Sequence, residues 1–259
     1  MNHAMKTLFL SWHDPATRAW FPIGKLTRDG RLYHFVYIQG AIEAHQKADF
    51  QPIISFPDFY QTYGSLDLFP LFNNRLLRSS RPDYPDFIQW LNLPQDKNDP
   101  IAILSRSGGK RETDTFEVFP SPELSDDGNY HIHFFVHGLR HLPIEAQQHL
   151  YQLRPGQPLS LLHDAQNPYD SRALLIRTED LHLVGYCPRY LTQDFFELVI
   201  NNPDQVKTTI ERINPPPTPV QFRFLCSLTA KRNSDFQPFS APIYTPIAAV
   251  ETENQLVLL

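Results

Sequence analysis

The chain has 259 residues, 41% of them hydrophobic and 13% aromatic, with a formal net charge of −5. That length fits one large or two small domains, and the acidic balance excludes a generally basic nucleic-acid coat. Cys187 and Cys226 lie far apart and in no ligand spacing, which excludes a disulfide framework and a cysteine zinc site.

No apolar run reaches the length of a membrane span, and Leu8–Leu10 is too short for a signal peptide. A soluble, cytoplasmic protein without a membrane partner is expected. The 24 prolines against 10 glycines predict many short elements joined by rigid turns.

In chain order, residues 7–37 read as strands, with Asp29-Gly30 suited to a tight hairpin turn. A short helix fits residues 41–48. The stepping of Leu66, Phe69, Phe72, Asn73, Leu76 and Leu77 by three and four predicts a helix from Ser65 to about Arg78, with Pro70 early in it or delaying its start. A second helix starts near Asp83 and carries Phe87, Trp90 and Leu91. A third opens at Asp99-Pro100, the aspartate as cap and the proline at the first position, and stops at Ser107-Gly108-Gly109. Thr115–Phe119 reads as a strand. The polar, turn-rich stretch from Pro120 to Gly128 marks a domain boundary.

The second half is mainly strands. Tyr130–Val136 begins as an alternation and ends fully apolar. Residues 143–152 read as helical, followed by short strands at Leu159–Leu162, Ala173–Ile176 and Leu181–Tyr186. Leu191–Ile200 is a helix with Phe195, Phe196 and Val199 on one face. Strands at 206–213 and 219–229 flank the rigid connector Pro215-Pro216-Pro217, the later strand alternating as Val220, Phe222 and Phe224. Residues 131–232 hold 10 basic against 9 acidic side chains and seven of the eleven histidines, whereas residues 5–127 hold 13 basic against 16 acidic. A nucleic-acid site in this chain would therefore be a local pocket.

From Phe134 to Arg189 a pattern emerges. A strand ends Val136-His137-Gly138-Leu139-Arg140, and Leu153-Arg154-Pro155-Gly156-Gln157-Pro158-Leu159 makes a turn and strand. Asp164-Ala165-Gln166-Asn167-Pro168-Tyr169-Asp170-Ser171-Arg172-Ala173-Leu174 and Leu183-Val184-Gly185-Tyr186-Cys187-Pro188-Arg189 follow. Taken together, residues 129–232 resemble a HIRAN domain. The resemblance implies a small, mostly β, OB-like barrel with one or two helices that captures single-stranded DNA at its 3′ end.

Carried over by position, it implies a DNA-binding set of Arg140, His141, Asn167, Tyr169, Asp170, Tyr186 and Arg189. Tyr169 would stack on a terminal base, Asp170 would accept from the 3′ hydroxyl, and Arg140, Tyr186 and Arg189 would lie near phosphates. These roles suit the side chains: an aromatic face binds any base, a carboxylate accepts from a hydroxyl, and guanidinium pairs with phosphate. His141 stands where the family has an aromatic ring, and the family's lysine near the last phosphate is either replaced by Arg189 or lost.

Residues 5–121 carry a second resemblance. Gly24-Lys25-Leu26, Tyr33-His34-Phe35-Val36-Tyr37, Pro52-Ile53-Ile54-Ser55-Phe56-Pro57, Leu68–Leu77, Asp99–Leu104 and Phe116–Phe119 follow one another in an order similar to the first N-terminal subdomain of HipA-type toxin kinases. The kinase core and its catalytic motifs are absent from the sequence. That resemblance implies an α+β docking module for a protein partner, with the phenylalanine-rich segment Phe56–Phe72 as its candidate apolar face. The expected organisation is thus an α+β chain: a HipA-N-like module at 5–121, a HIRAN domain at 129–232 and a tail at 233–259.

Other candidates are weaker. Ser107–Arg111 reads as a helix C-cap and surface loop rather than a phosphate site. Arg75, Arg78 and Arg81 read as a solvated helix edge. His131, His133, His137 and His141 resemble a metal cluster, but no carboxylate or cysteine completes it, and no metal is assigned. No nucleophile or zinc-hydrolase motif occurs, so no catalytic residue, enzyme activity or cofactor is expected. The two functions in view are a single-stranded-DNA-binding accessory protein, used in DNA repair, mobile-element biology or defence, and a protein-interaction regulator or antitoxin-like partner of a HipA-type kinase.

Overall fold

The computed structural model describes residues 6–94, 99–124, 128–231, 236–248 and 257–258. The chain forms two units that interleave along the sequence. One takes its described residues from Met1–Tyr84, Asp96–Ser121 and Phe239–Leu259, the other from Pro85–Gln95 and Pro122–Pro238. A division drawn linearly along the chain therefore differs from the structure at two places: a helix-bearing segment after Tyr84 belongs to the second unit, and the C-terminal tail returns to the first.

The first unit contains β1 (Lys6–His13), β2 (Trp20–Asp29), β3 (Leu32–Tyr37), α1 (Gln39–Ala48), β4 (Thr62–Ser65) and the one-turn helix α2 (Pro70–Asn73). The helix α3 (Tyr84–Trp90) leads into the second unit, and α4 (Pro100–Ser107) and β5 (Phe116–Pro120) return to the first. The sheet runs in the order β4-β3-β2-β1-β5, extended beyond β4 by a parallel strand at Val257–Leu258. The β2–β3 hairpin turns at Gly30, whose φ of 57° is the left-handed conformation glycine tolerates best. Gly40 lets α1 approach β2, because a Cβ there would lie 1.9 Å from the Pro22 carbonyl oxygen. In α4, Asp99 caps the helix by accepting from Ile101 N, Pro100 takes the first position, and Gly108 closes it at φ 74°.

The core of this unit is built of rings. Phe35 and Phe56 stack at 4.0 Å, and Phe56 meets Tyr63 and Phe69 at 5.1 Å each. Phe56, Phe59, Phe69 and Phe72 are all buried. The phenylalanines of segment 56–72, expected to present an apolar docking face, are thus interior, and the exposed large apolar side chains of the segment are Tyr60 and Leu66.

The long helix expected over 65–78 is also replaced. Ser65 ends a strand, Pro70 can only start a helix, and the chain leaves it after one turn through Arg75 N to Phe72 O and Leu76 N to Asn73 O bonds. Arg75 is not on a solvated edge. Its side chain is buried, donates to Gly109 O at 2.9 Å and Asp114 Oδ2 at 2.7 Å, and lies over Phe116. The tail packs here too, with Phe239 and Tyr244 edge-on to Phe9 at 5.2 and 5.3 Å.

The second unit contains β6 (Glu123–Leu124), β7 (Tyr130–Phe135), α5 (Ile144–Leu150), β8 (Pro158–His163), β9 (Leu174–Thr178), β10 (Leu183–Tyr186), α6 (Thr192–Asn201), β11 (Val206–Ile213) and β12 (Phe224–Ala230). Its seven-stranded sheet has the order β10-β9-β8-β11-β12-β7-β6, with every pairing antiparallel. The sheet curls. Just past β7, His137 pairs with Tyr186 on β10 through reciprocal 2.9 Å backbone bonds, joining one edge strand to the far side. A half-barrel of this kind is consistent with an OB-like fold.

Phe195 from α6 fills the inside of this curl, against Phe134 at 5.5 Å and Tyr130 at 6.3 Å. The segment after Tyr84 is held by Phe87 against Phe222 and by Asn214 Nδ2 donating to Trp90 O at 2.9 Å. Strand β12 starts only at Phe224. The expected earlier portion, Val220–Phe222, is a 3-10 turn closed by Phe222 N to Pro219 O, in a stretch whose prolines offer no ladder donors. Among the described residues no helix is long and apolar enough to cross a membrane.

Candidate nucleic-acid interface

The loop between β8 and β9 is ordered by its own polar side chains. Asn167 Oδ1 accepts from Tyr169 N at 3.0 Å and Asp170 N at 3.1 Å, the local turn that asparagine forms readily. Its amide donates to Asp164 Oδ2 at 3.0 Å. Asp170 Oδ1 accepts from Arg172 N at 2.9 Å, and Asp170 O accepts from Ala173 N, which returns the chain to β9. The result is a fixed loop with Tyr169 at its tip, 74% exposed. A large aromatic ring held out of a core by a rigid turn offers a ready stacking surface.

Tyr186 supports the loop from β10. Its hydroxyl donates to Asp164 Oδ2 at 2.9 Å, so Asp164 joins the loop amide to the barrel wall. The bonds from Asn167 and then Tyr186 hold the Asp164 carboxyl below its usual range. Burial, followed by the bond to Asp164, pushes the Tyr186 phenol up.

Gly185, before it, has φ 140°. A Cβ there would lie 2.4 Å from Val136 Cγ1 and 2.6 Å from His137 O, so only glycine permits the bridge between β10 and the end of β7. The Tyr186 ring in turn packs under Gly138, where a Cβ would lie 3.0 Å from its Cδ2.

Arg189 completes the loop's cationic side. Its guanidinium donates to Tyr169 O at 3.2 Å and lies 3.5 Å from Asp170 Oδ2. Arg172, next along the loop, reaches Gln193 Oε1 at 3.0 Å.

The structure thus brings Asn167, Tyr169, Asp170, Tyr186 and Arg189 into one hydrogen-bonded neighbourhood. Arg140 and His141 sit on the 3-10 turn after Gly138, both exposed, with Arg140 Nε donating to His141 Nε2 at 3.1 Å. Arg140 also lines a cleft of about 190 Å³ with Tyr151 and Arg223. Asp164 and Arg172 were missing from the expected set. Asp164 had only its place at the start of the loop sequence to mark it, and nothing in that sequence shows it bonding to a tyrosine 22 positions later.

Residues 129–229 match the family model of the HIRAN domain. The HIRAN region so defined contains the loop, Tyr186, Arg189 and the Arg140 turn, and its family supports nucleic-acid binding in broad terms. The match does not extend into the first unit. Two solved structures are similar. A protein from Lactobacillus plantarum shares 17% identity over 40% of this chain and 100% of that one, with a TM-score of 0.32. The HIRAN domain of human HLTF shares 18% identity over 40% of this chain and 75% of that one, with a TM-score of 0.29. No curated protein matches the chain.

The histidines set aside as a metal cluster have other partners in the HIRAN region. His131 and His133 do share a face, their rings 4.6 Å apart, but His131 bonds Ser227 Oγ at 3.2 Å and His133 faces Glu211 at 3.8 Å. At the end of α4, Lys110 pairs with Glu117 at 3.0 Å beside the Gly108 cap.

Proposed function

We propose that the HIRAN region binds single-stranded DNA and takes its free 3′ end at the loop centred on Tyr169. The observation that carries this reading is the exposed Tyr169 ring on a loop pinned by Asn167, flanked by a carboxylate and a guanidinium. In the proposed complex the terminal base stacks on Tyr169. The Asp170 carboxylate, whose Oδ1 serves the Arg172 amide, keeps lone-pair capacity on Oδ2 for the terminal hydroxyl. Arg189 is placed to meet a phosphate without leaving the loop. Tyr186 acts through Asp164, holding the loop to the barrel, while Arg140 and His141 extend the surface along the 3-10 turn. The work is binding, with no catalytic step assigned.

The test is fluorescence anisotropy of the full chain with matched labelled oligonucleotides ending in a 3′ hydroxyl or a 3′ phosphate. The hydroxyl end is expected to bind more tightly, because a phosphate would bring charge against Asp170. Equal affinity for both ends would overturn end recognition, and no saturable binding of either would overturn the DNA reading.

A further inference from the structure

Away from the Tyr169 loop, the HIRAN region gathers a different set of side chains. His149 lies in the last turn of α5, and Asp180 and His182 lie in the turn between β9 and β10. That turn is tightly tied. Thr178 N donates to His182 O at 2.9 Å, His182 N donates to Thr178 Oγ1 at 3.0 Å, and Leu181 adopts φ 68°, uncommon for a residue with a Cβ.

The two imidazoles lie face to face, centroids 3.7 Å apart at 31°. Both Nε2 atoms face one oxygen, Asp180 Oδ2, at 3.7 Å from His149 and 3.5 Å from His182. Those separations are too long for hydrogen bonds. They approach the roughly 3.3–3.5 Å expected between two donors that share a tetrahedral zinc ion at bond lengths near 2.0–2.2 Å. All three donor atoms lie within 4.8 Å of one another, and among the described residues this is the one group of histidine, cysteine and carboxylate side chains that does so. Neutral imidazole nitrogen is a common ligand for zinc-class ions.

We propose that His149, Asp180 and His182 form a binding site for a divalent transition-metal ion of the zinc class, with a water-filled fourth position. The two imidazole nitrogens are borderline ligands, and with them the set suits zinc, cobalt or nickel over calcium or magnesium, which prefer all-oxygen sites. The ion would clip the end of α5 to the β9–β10 turn, joining elements 31 residues apart in the chain. The site is separate from the Tyr169 loop and stands whether or not that loop binds DNA.

The test is calorimetric titration of the full chain, stripped with chelator, using zinc chloride. One saturable site is expected, together with a rise in melting temperature under excess zinc. Asp180→Asn and His182→Gln change exposed side chains, so both variants are expected to melt like the parent without metal. Each is expected to weaken zinc binding at least tenfold and to abolish the melting shift. Titration with cobalt chloride gives a second readout: a visible absorption band of four-coordinate cobalt in the parent, lost in both variants. The proposal is overturned if the parent shows no saturable site, or if either variant binds zinc as the parent does.

Discussion

Two aromatic, turn-rich segments of this chain look alike as sequence and end in opposite places. Between Phe56 and Phe72 the phenylalanine rings turn inward, with Phe56 stacked on Phe35 and walled by Tyr63. In the Asn167–Arg172 loop the aromatic ring turns outward. What separates them is the chemistry of the neighbours. The first segment carries several rings and contains β4, which pairs with β3, so burial of those rings against the sheet decides the outcome. The second has one ring among asparagine, aspartate and arginine side chains that satisfy each other and the backbone, and this leaves the ring no core to enter.

The contrast can be broken most severely at Phe56. Phe56→Ala removes a fully buried ring, and the expected loss is about 3–5 kcal/mol of stability by denaturant unfolding. A loss under about 1 kcal/mol would mean that the segment is not core. Next comes Arg75, whose buried guanidinium serves Gly109 O and Asp114. Arg75→Ala strands the carbonyl and is expected to cost about 1–3 kcal/mol. An unchanged unfolding midpoint would return Arg75 to the solvated edge expected of it.

The smallest effect belongs to the loop. Because Asn167 and Tyr186 stabilise ionised Asp164, its folded carboxyl titrates below its unfolded value. The loop's bonds to it are therefore fully present above the ordinary carboxylate range and are lost as pH falls through the lowered folded value. Carboxyl titration by NMR is expected to place the Asp164 midpoint below 3.8. A midpoint at or above that value would contradict the hub, and Asp164→Asn should then leave DNA binding unaltered.

Much of this was legible in the residues. The Asp99-Pro100 start and Gly108 stop of α4 follow from local capping chemistry, and the strands of the second half follow from their apolar patterning. The HIRAN region was recognisable because its motif residues carry the loop: Asn167 makes the turn and Gly185 permits the bridge.

Three features depend on contacts distant in sequence and were not legible. A stepping pattern over 65–78 suggested one helix, yet Pro70 and the burial of Phe69 and Phe72 from a single turn decided against it. Arg75 finds its partners only when α4 and β5 return to it. The histidines that lie nearest in sequence, His131 and His133, are partnered elsewhere, while His149 and His182 meet through the fold.

The claim at the centre is that Tyr169 is exposed in order to bind, and Tyr169→Ala tests it most directly. Anisotropy of a labelled single-stranded oligonucleotide should show saturable binding by the parent. The variant should bind weaker by about 1–3 kcal/mol, roughly 5- to 150-fold, with an unchanged melting temperature. Equal affinity in parent and variant, or a large fall in melting temperature, would contradict it.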